Sequence, residues 1–274
     1  MLGKWFKKGA VSEEHAVFLL QRRRRKLVTR LLQISILFSF FALWELLGYL
    51  GWINTFLMSR PTKIYNLLLE MGSSGELFFH IRVTLFEVLL GFLSGTILGT
   101  LVAIILWWSE FLFDLFEPYI VILNSIPKVA LGPVIIVWMG NNPSAIIVMA
   151  LAVSIIVTIM MLTNGFREVE EKKVRLLETM GATKKQILSK VILPASIPTI
   201  FAALKVSIGL SMVGTIVGEF LVSEAGLGYL IVYGGQVFNL NLVMTSLLIL
   251  CVFAGLMYYT IVILEKLLVT WSSE

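Results

Sequence analysis

The chain holds one cysteine and two histidines in 274 residues. Cys251 stands alone inside an apolar run, which excludes a disulfide framework and points to a packing role. His15 and His80 have no cysteine or histidine neighbour at ligand spacing, so no metal site is expected. The sequence has no glycine-rich phosphate-binding loop and no paired carboxylates in a plausible cleft. Catalytic residues and cofactors are therefore not expected, and the chain should not hydrolyse ATP. Charge is scarce too: 14% of residues are charged and 58% are hydrophobic, too apolar for an ordinary soluble surface. The expected fold class is all-α, a polytopic membrane protein.

What fills the chain is a series of six apolar stretches, at 31–50, 83–106, 111–138, 144–162, 200–222 and 243–268. Each is read as a span, since about 20 apolar residues cross a bilayer as a helix. Ahead of the first lies a basic head, residues 1–30. Ser12, Glu13 and Glu14 can start a helix there that runs into Arg22-Arg23-Arg24-Arg25-Lys26 and Arg30. Without a small-residue cleavage site this is no cleavable signal. Beside a span, the cluster reads as an orientation signal in contact with anionic lipid, and nothing else supports nucleic-acid binding. Trp44, Trp52 and Trp271 are interfacial anchors, and Glu45 is expected to snorkel.

Between the first two stretches, Ser59 to Thr62 predicts a turn and Ile64 to Met71 a short surface helix broken by Gly72-Ser73-Ser74-Gly75. In the second stretch Gly91, Gly95, Gly99 and Ala103 recur every fourth residue, a flat face for close helix approach. The third is interrupted by Asn124, Ser125, Pro127, Lys128, Gly132 and Pro133. A broken helix at membrane depth is tolerated where protein or a water-filled cavity satisfies the freed backbone, so this segment points to a translocation path. Asn124, Ser125, Pro127, Lys128 and Glu219 are the candidate path residues, because polar groups inside spans are costly. Lys128 either attracts an anionic solute, pairs with Glu219 or snorkels. Lys205, close to the start of its span, is expected to reach the surface.

One long polar interval separates the fourth and fifth stretches, from Gly165 to Pro198. Val174, Leu177 and Met180 recur at helical spacing in its first half. Gly181 should close that helix in the left-handed conformation. Thr183 and Gln186 have the form of a capping box that starts a second helix, with Ile187, Leu188, Val191 and Ile192 on one face. Pro194 and Pro198 punctuate the return to the membrane. Orientation follows from Lys and Arg: nine lie in residues 1–30, seven in 165–190 and one, Lys266, at the tail, against three (Arg60, Lys63, Arg82) on the other side. That bias puts both termini and the polar loop in the cytoplasm.

Gly181, nine residues, Val191, one residue, then Leu193-Pro194 matches the glycine-to-Leu-Pro half of the loop motif of bacterial ABC importer permeases, and the chain resembles that family. The motif's opening Glu-Ala-Ala positions hold Arg175, Leu176 and Leu177 here. Pro127, Ala130, Leu131 and Pro133, followed by Trp138 and Gly140, are similar to the nitrate, sulfonate and taurine branch. Ser223 to Gly228 resembles the glycine-leucine-glycine turn after that branch's fifth span.

The resemblance covers about residues 55–270 and implies a basic segment 1–30 and a permease domain 31–274 whose coupling loop, 165–194, seats in a groove of a separate ATPase. Arg175, Leu176, Leu177, Glu178, Gly181, Ala182, Leu193 and Pro194 are the coupling residues it implies. Implied partners are that ATPase, an extracellular solute-binding protein loading the loops at 138–143 and 223–242, a second permease copy and the lipid of a bacterial plasma membrane. The implied solute is a small anion of the nitrate, sulfonate or taurine kind, or a pyrimidine vitamin precursor. The reading from another class, an ion-coupled carrier or channel, lacks an inverted repeat and a proton-relay carboxylate set.

Overall fold

A computed structural model describes residues 13–269 of the chain, with side chains from residue 17 onward. It divides into two compact units, 1–66 and 67–274. The head residues 1–12, Ser12 among them, and the anchor Trp271 lie outside the described residues.

In the first unit, helix α1 (Glu13–Tyr49) is 37 residues long and joins the basic head to the first apolar stretch without a break. The arginine cluster is thus helical and exposed. A single turn, Thr55–Met58, is capped by Asn54, whose Oδ1 accepts from the Phe56 N–H at 3.0 Å. Helix α2 (Pro61–Ser74) begins on a proline, whose missing N–H costs nothing at that position. Glu45 does not snorkel. Its carboxylate accepts from the Thr62 backbone N–H at 2.9 Å and from the Thr62 hydroxyl, with Arg60 Nε at 4.0 Å. An anion there satisfies the open N–H groups of a helix start. Gly72 does not break α2, which runs on to Ser74; Gly75, at φ 80°, supplies the break.

The second unit is a bundle. Its helices are α3 (Glu76–Trp108), α4 (Glu110–Ser125), α5 (Gly132–Met139), α6 (Pro143–Arg167), α7 (Glu171–Thr179), α8 (Lys184–Ile187), α9 (Ile197–Val222), α10 (Leu227–Gln236) and α11 (Leu240–Leu268). Five helices of the chain, α1, α3, α6, α9 and α11, are long and apolar enough to cross a membrane. A sixth span exists if α4 and the segment Lys128–Met139, bent by 89°, are one broken crossing. The third stretch is therefore interrupted where Pro127 and its neighbours predict, and the second span starts at Glu76 rather than near Val83.

Helices α3, α6 and α9 form the centre, and small residues explain why. A Cβ built on Gly95 would sit 2.5 Å from Ser154 Oγ, and one on Gly99 2.8 Å from Thr158 Cγ2. On the other flank of α6, a Cβ on Gly214 of α9 would lie 2.6 Å from Ala150 Cα. Bare backbone on α3 and α9 lets α6 approach both, which is how helices associate where lipid offers no hydrophobic gain. Thr158 and Ser207 hydroxyls, 2.6 Å apart and buried, tie α6 to α9. Residues 223–242, read from sequence as a loop, contain α10. Its Leu227 and Leu230 share a core with Leu242 and Leu250 of α11.

Candidate functional site

The polar interval folds as two helices under one end of the bundle. Residues Glu171–Thr179 form α7, held on its outer face by Arg175 to Glu171 (Nη2 to Oε1, 2.6 Å). Gly181 adopts φ 78°, the left-handed conformation expected of it. The capping box is present in both directions: the Gln186 N–H donates to Thr183 Oγ1 and the Thr183 N–H to Gln186 Oε1. After α8 the helix widens to a π-helix over Leu188–Ile192, then continues through Leu193–Ala195. Ser196 closes it, its hydroxyl donating to the Gly165 carbonyl at 3.2 Å, before Pro198 opens α9.

Burial sorts the loop's residues. Ile187, Leu188 and Ile192 join Ala103 of α3, Leu162 and Phe166 of α6 and Ala203 of α9 in one apolar cluster, with Val174, Leu177, Ala182 and Leu193 packed against it. Lys184 donates to the Trp108 carbonyl at 2.6 Å and fixes the loop to the end of α3. Leu176 and Met180 instead face outward, 62% and 74% exposed. Met180 thus departs from the inward stripe it was expected to share with Val174 and Leu177. The face so presented is two bare apolar side chains flanked by Arg175 and Glu178.

The path residues Asn124, Ser125, Pro127 and Lys128 do come together, at the 89° bend between α4 and α5. Lys128 Nζ donates to the Asn124 carbonyl and to Asn124 Oδ1, each at 3.1 Å, closing the end of α4. It forms no ion pair with Glu219, which is buried elsewhere. Lys205 pairs with Glu265 of α11 at 2.6 Å instead of reaching the surface freely.

At the other end of the bundle, the turn after α9 is clamped by side chains that sequence spacing did not connect. The first N–H groups of α10 need acceptors. Gly226 N–H donates to His80 Nδ1 at 2.9 Å, Leu227 N–H to Thr84 Oγ1 at 2.8 Å and Gly228 N–H to Glu219 Oε2 at 2.5 Å. A Cβ on Gly226 or Gly228 would run into the Glu219 side chain, and Gly226 sits at φ 113°. The Gly-Leu-Gly order thus follows: glycine on either side of a carboxylate, with fully buried Leu227 as anchor between them.

No carboxylate pair is visible in the sequence, yet the fold makes one. Glu87 of α3 and Glu219 of α9, 2% and 1% exposed, lie within hydrogen-bonding reach of each other. The signal was available: Glu87 falls one turn on the C-terminal side of Thr84 and His80, on the face of α3 that carries Gly91. Among the described residues no group of three or more His, Cys, Asp or Glu is placed to hold a metal ion.

A family model described as binding-protein-dependent transport system inner membrane component matches residues 95–273. The chain is similar to a putative aliphatic sulfonates transport permease protein of Bacillus subtilis (strain 168), 31% identical over 234 residues, which is 85% of this chain and 84% of that one. A formylaminopyrimidine transport permease protein of Halalkalibacterium halodurans is 28% identical over 80% of this chain and 87% of its own. The taurine transport system permease protein of Escherichia coli (strain K12) is 24% identical over 89% and 90%. Among solved structures, a chain of the MetNI methionine ABC transporter in an inward-facing conformation shares the fold, with a TM-score of 0.61 at 22% identity over 68% of this chain and 92% of that one.

Proposed function

Because the chain belongs to the family of binding-protein-dependent transport system inner membrane components, and is thus a multi-pass permease subunit of an ABC importer in the inner membrane, we propose that the 165–194 loop is where a separate ATPase subunit drives it. The observation that carries this reading is the split of the loop into two faces: Ile187, Leu188 and Ile192 inside the bundle core, Leu176 and Met180 bare at the surface. Exposed apolar side chains at this size mark a partner surface. A groove on the ATPase that covers Arg175, Leu176, Glu178, Met180 and Gly181 could move the loop, and the shared core would carry that movement into α3, α6 and α9. Leu177, Ala182, Leu193 and Pro194 set the geometry of that connection.

With the loop in the cytoplasm, both termini lie there and the 138–143 and 223–228 turns face outward, where an extracellular solute-binding protein would deliver its load. A second permease copy completes the path. Asn124, Ser125, Pro127 and Lys128 would line it at the bend, and Glu219 would brace its outer end. The solute is a small organic anion of the sulfonate or taurine kind, on the strength of the sulfonate and taurine relatives; similarity to the formylaminopyrimidine permease makes a small pyrimidine the second reading.

Gentle detergent extraction of the tagged chain, with bound proteins identified by mass, tests the coupling assignment. Recovery of an ATPase that is lost when both Leu176 and Met180 become Asp is the expected result. A chain that comes down alone and still transports in vesicles without ATP would replace this reading with an ion-coupled carrier.

A further inference from the structure

The Glu87–Glu219 pair opens on a cavity of about 310 Å³, bounded by Val83 and Glu87 of α3, the turn Asn141-Asn142-Pro143 and Ile146 of α6, and residues 222–225. Glu219 is engaged by the α10 clamp. Glu87 is not: among the described residues no N–H or hydroxyl donates to it, and its Oε2, like Glu219 Oε1, is shut away without a donor. Two carboxyls in contact share one proton, because two anions there would repel, and the pair keeps one negative charge. No Lys, Arg or His forms an ion pair with either among the described residues; Arg82 lines the adjoining groove without reaching Glu87. A buried charge left without a partner is costly, so its compensation is sought in what enters the cavity.

The cavity's other free polar groups are acceptors as well. Asn142 is spent on its own turn, with Nδ2 donating to the Met139 carbonyl at 2.6 Å and Oδ1 accepting from Ala145. Ser223 is spent on Ala225. That leaves Glu87, the Asn141 amide and the Glu224 carboxylate at the rim. A primary ammonium has three N–H donors and a positive charge, and it matches three oxygens, two of them carboxylate.

We propose that this cavity is a binding site for the ammonium group of a small organic amine, seated between Glu87, Asn141 and Glu224. At about 310 Å³ it lies at the small end of ligand pockets, so it takes a compact molecule or the amine end of one. The importer assignment is not needed for this site to exist. An amine-bearing solute delivered from outside would meet it before any group at the bend.

The test is thermal unfolding of the purified full chain in detergent. Ethylammonium chloride is compared with tetramethylammonium chloride at equal ionic strength. Ethylammonium should raise the midpoint by about 2–4 °C, while tetramethylammonium, which has no N–H, should not. Glu87→Gln keeps the size and the contact with Glu219 and should abolish the shift. Asn141→Ala, at an exposed turn position that leaves the core intact, should reduce it, so a poorly folding Glu87 variant does not spare the proposal. No shift in the unaltered chain, an equal shift with tetramethylammonium, or a shift that survives both substitutions would overturn it. Neither ATPase nor transport enters the measurement, so its failure and a failure of the coupling assignment are told apart.

Discussion

Gly181 and Glu219 show what single residues decide here. Gly181 sits at φ 78° with open space around its Cα, so its requirement is conformational and not steric. A β-branched side chain there costs about 1–3 kcal/mol of local strain and redirects α8. Gly181→Val should therefore lower uptake and ATPase association together, and normal values for both, in transport and pull-down assays, would remove this residue from the coupling device. Glu219 acts through packing: its carboxylate occupies the space that Gly226 and Gly228 leave free. Glu219→Ala deletes the acceptor for the Gly228 N–H and leaves a buried donor unpaired, a loss of about 1–3 kcal/mol that should appear as a lower unfolding midpoint in the purified chain. Lys128, held by Asn124, has no such structural debt, so Lys128→Ala should leave the unfolding midpoint within a degree or so. Uptake of an anionic solute should nonetheless fall; uptake unchanged across pH would remove the charge from the path.

Among the elements, the ones with strong local chemistry were legible in advance. The α7–α8 connection was read almost residue by residue, because a left-handed glycine and a capping box are decided within a few positions of the chain. Thr183→Ala should cost about 1 kcal/mol through loss of that cap, measurable as faster amide exchange over residues 184–187. The small-residue face of α3 was also readable, since its period is that of a helix. Substituting Leu for Gly95 should push α3 off Ser154 and destabilise the bundle by about 1–3 kcal/mol, read as a lower midpoint. Other elements were hidden. Helix α10 was missed because its first N–H groups are satisfied by His80 and Thr84, residues far away in the chain, and a ten-residue helix flanked by glycines carries little local signal. The Glu87–Glu219 pair was missed for the same reason: neither residue has a polar neighbour at helical spacing that announces the other. Lys205 was misjudged because its partner, Glu265, comes from another span. Long-range pairing is the part of this fold that periodicity does not contain.

As a whole molecule, the second unit is a bundle with a different device at each end. One end carries the two-helix loop rooted in the cores of α3, α6 and α9. The other carries a glycine turn pinned by His80, Thr84 and Glu219, with the Glu87 cavity beside it. Both devices grip the same pair of helices, α3 and α9, so a shift of α3 against α9 started at the loop would reach the clamp.

The clamp also has an order in time. His80 and Thr84 are made early in the chain, Glu219 late, and residues 223–236 later still, so three acceptors stand waiting for a segment that has no means of satisfying its own first N–H groups. Helix α10 is accordingly the keystone of the bundle, set last, and a chain cut after Val222 would carry a ready-made receptor for its missing ten residues.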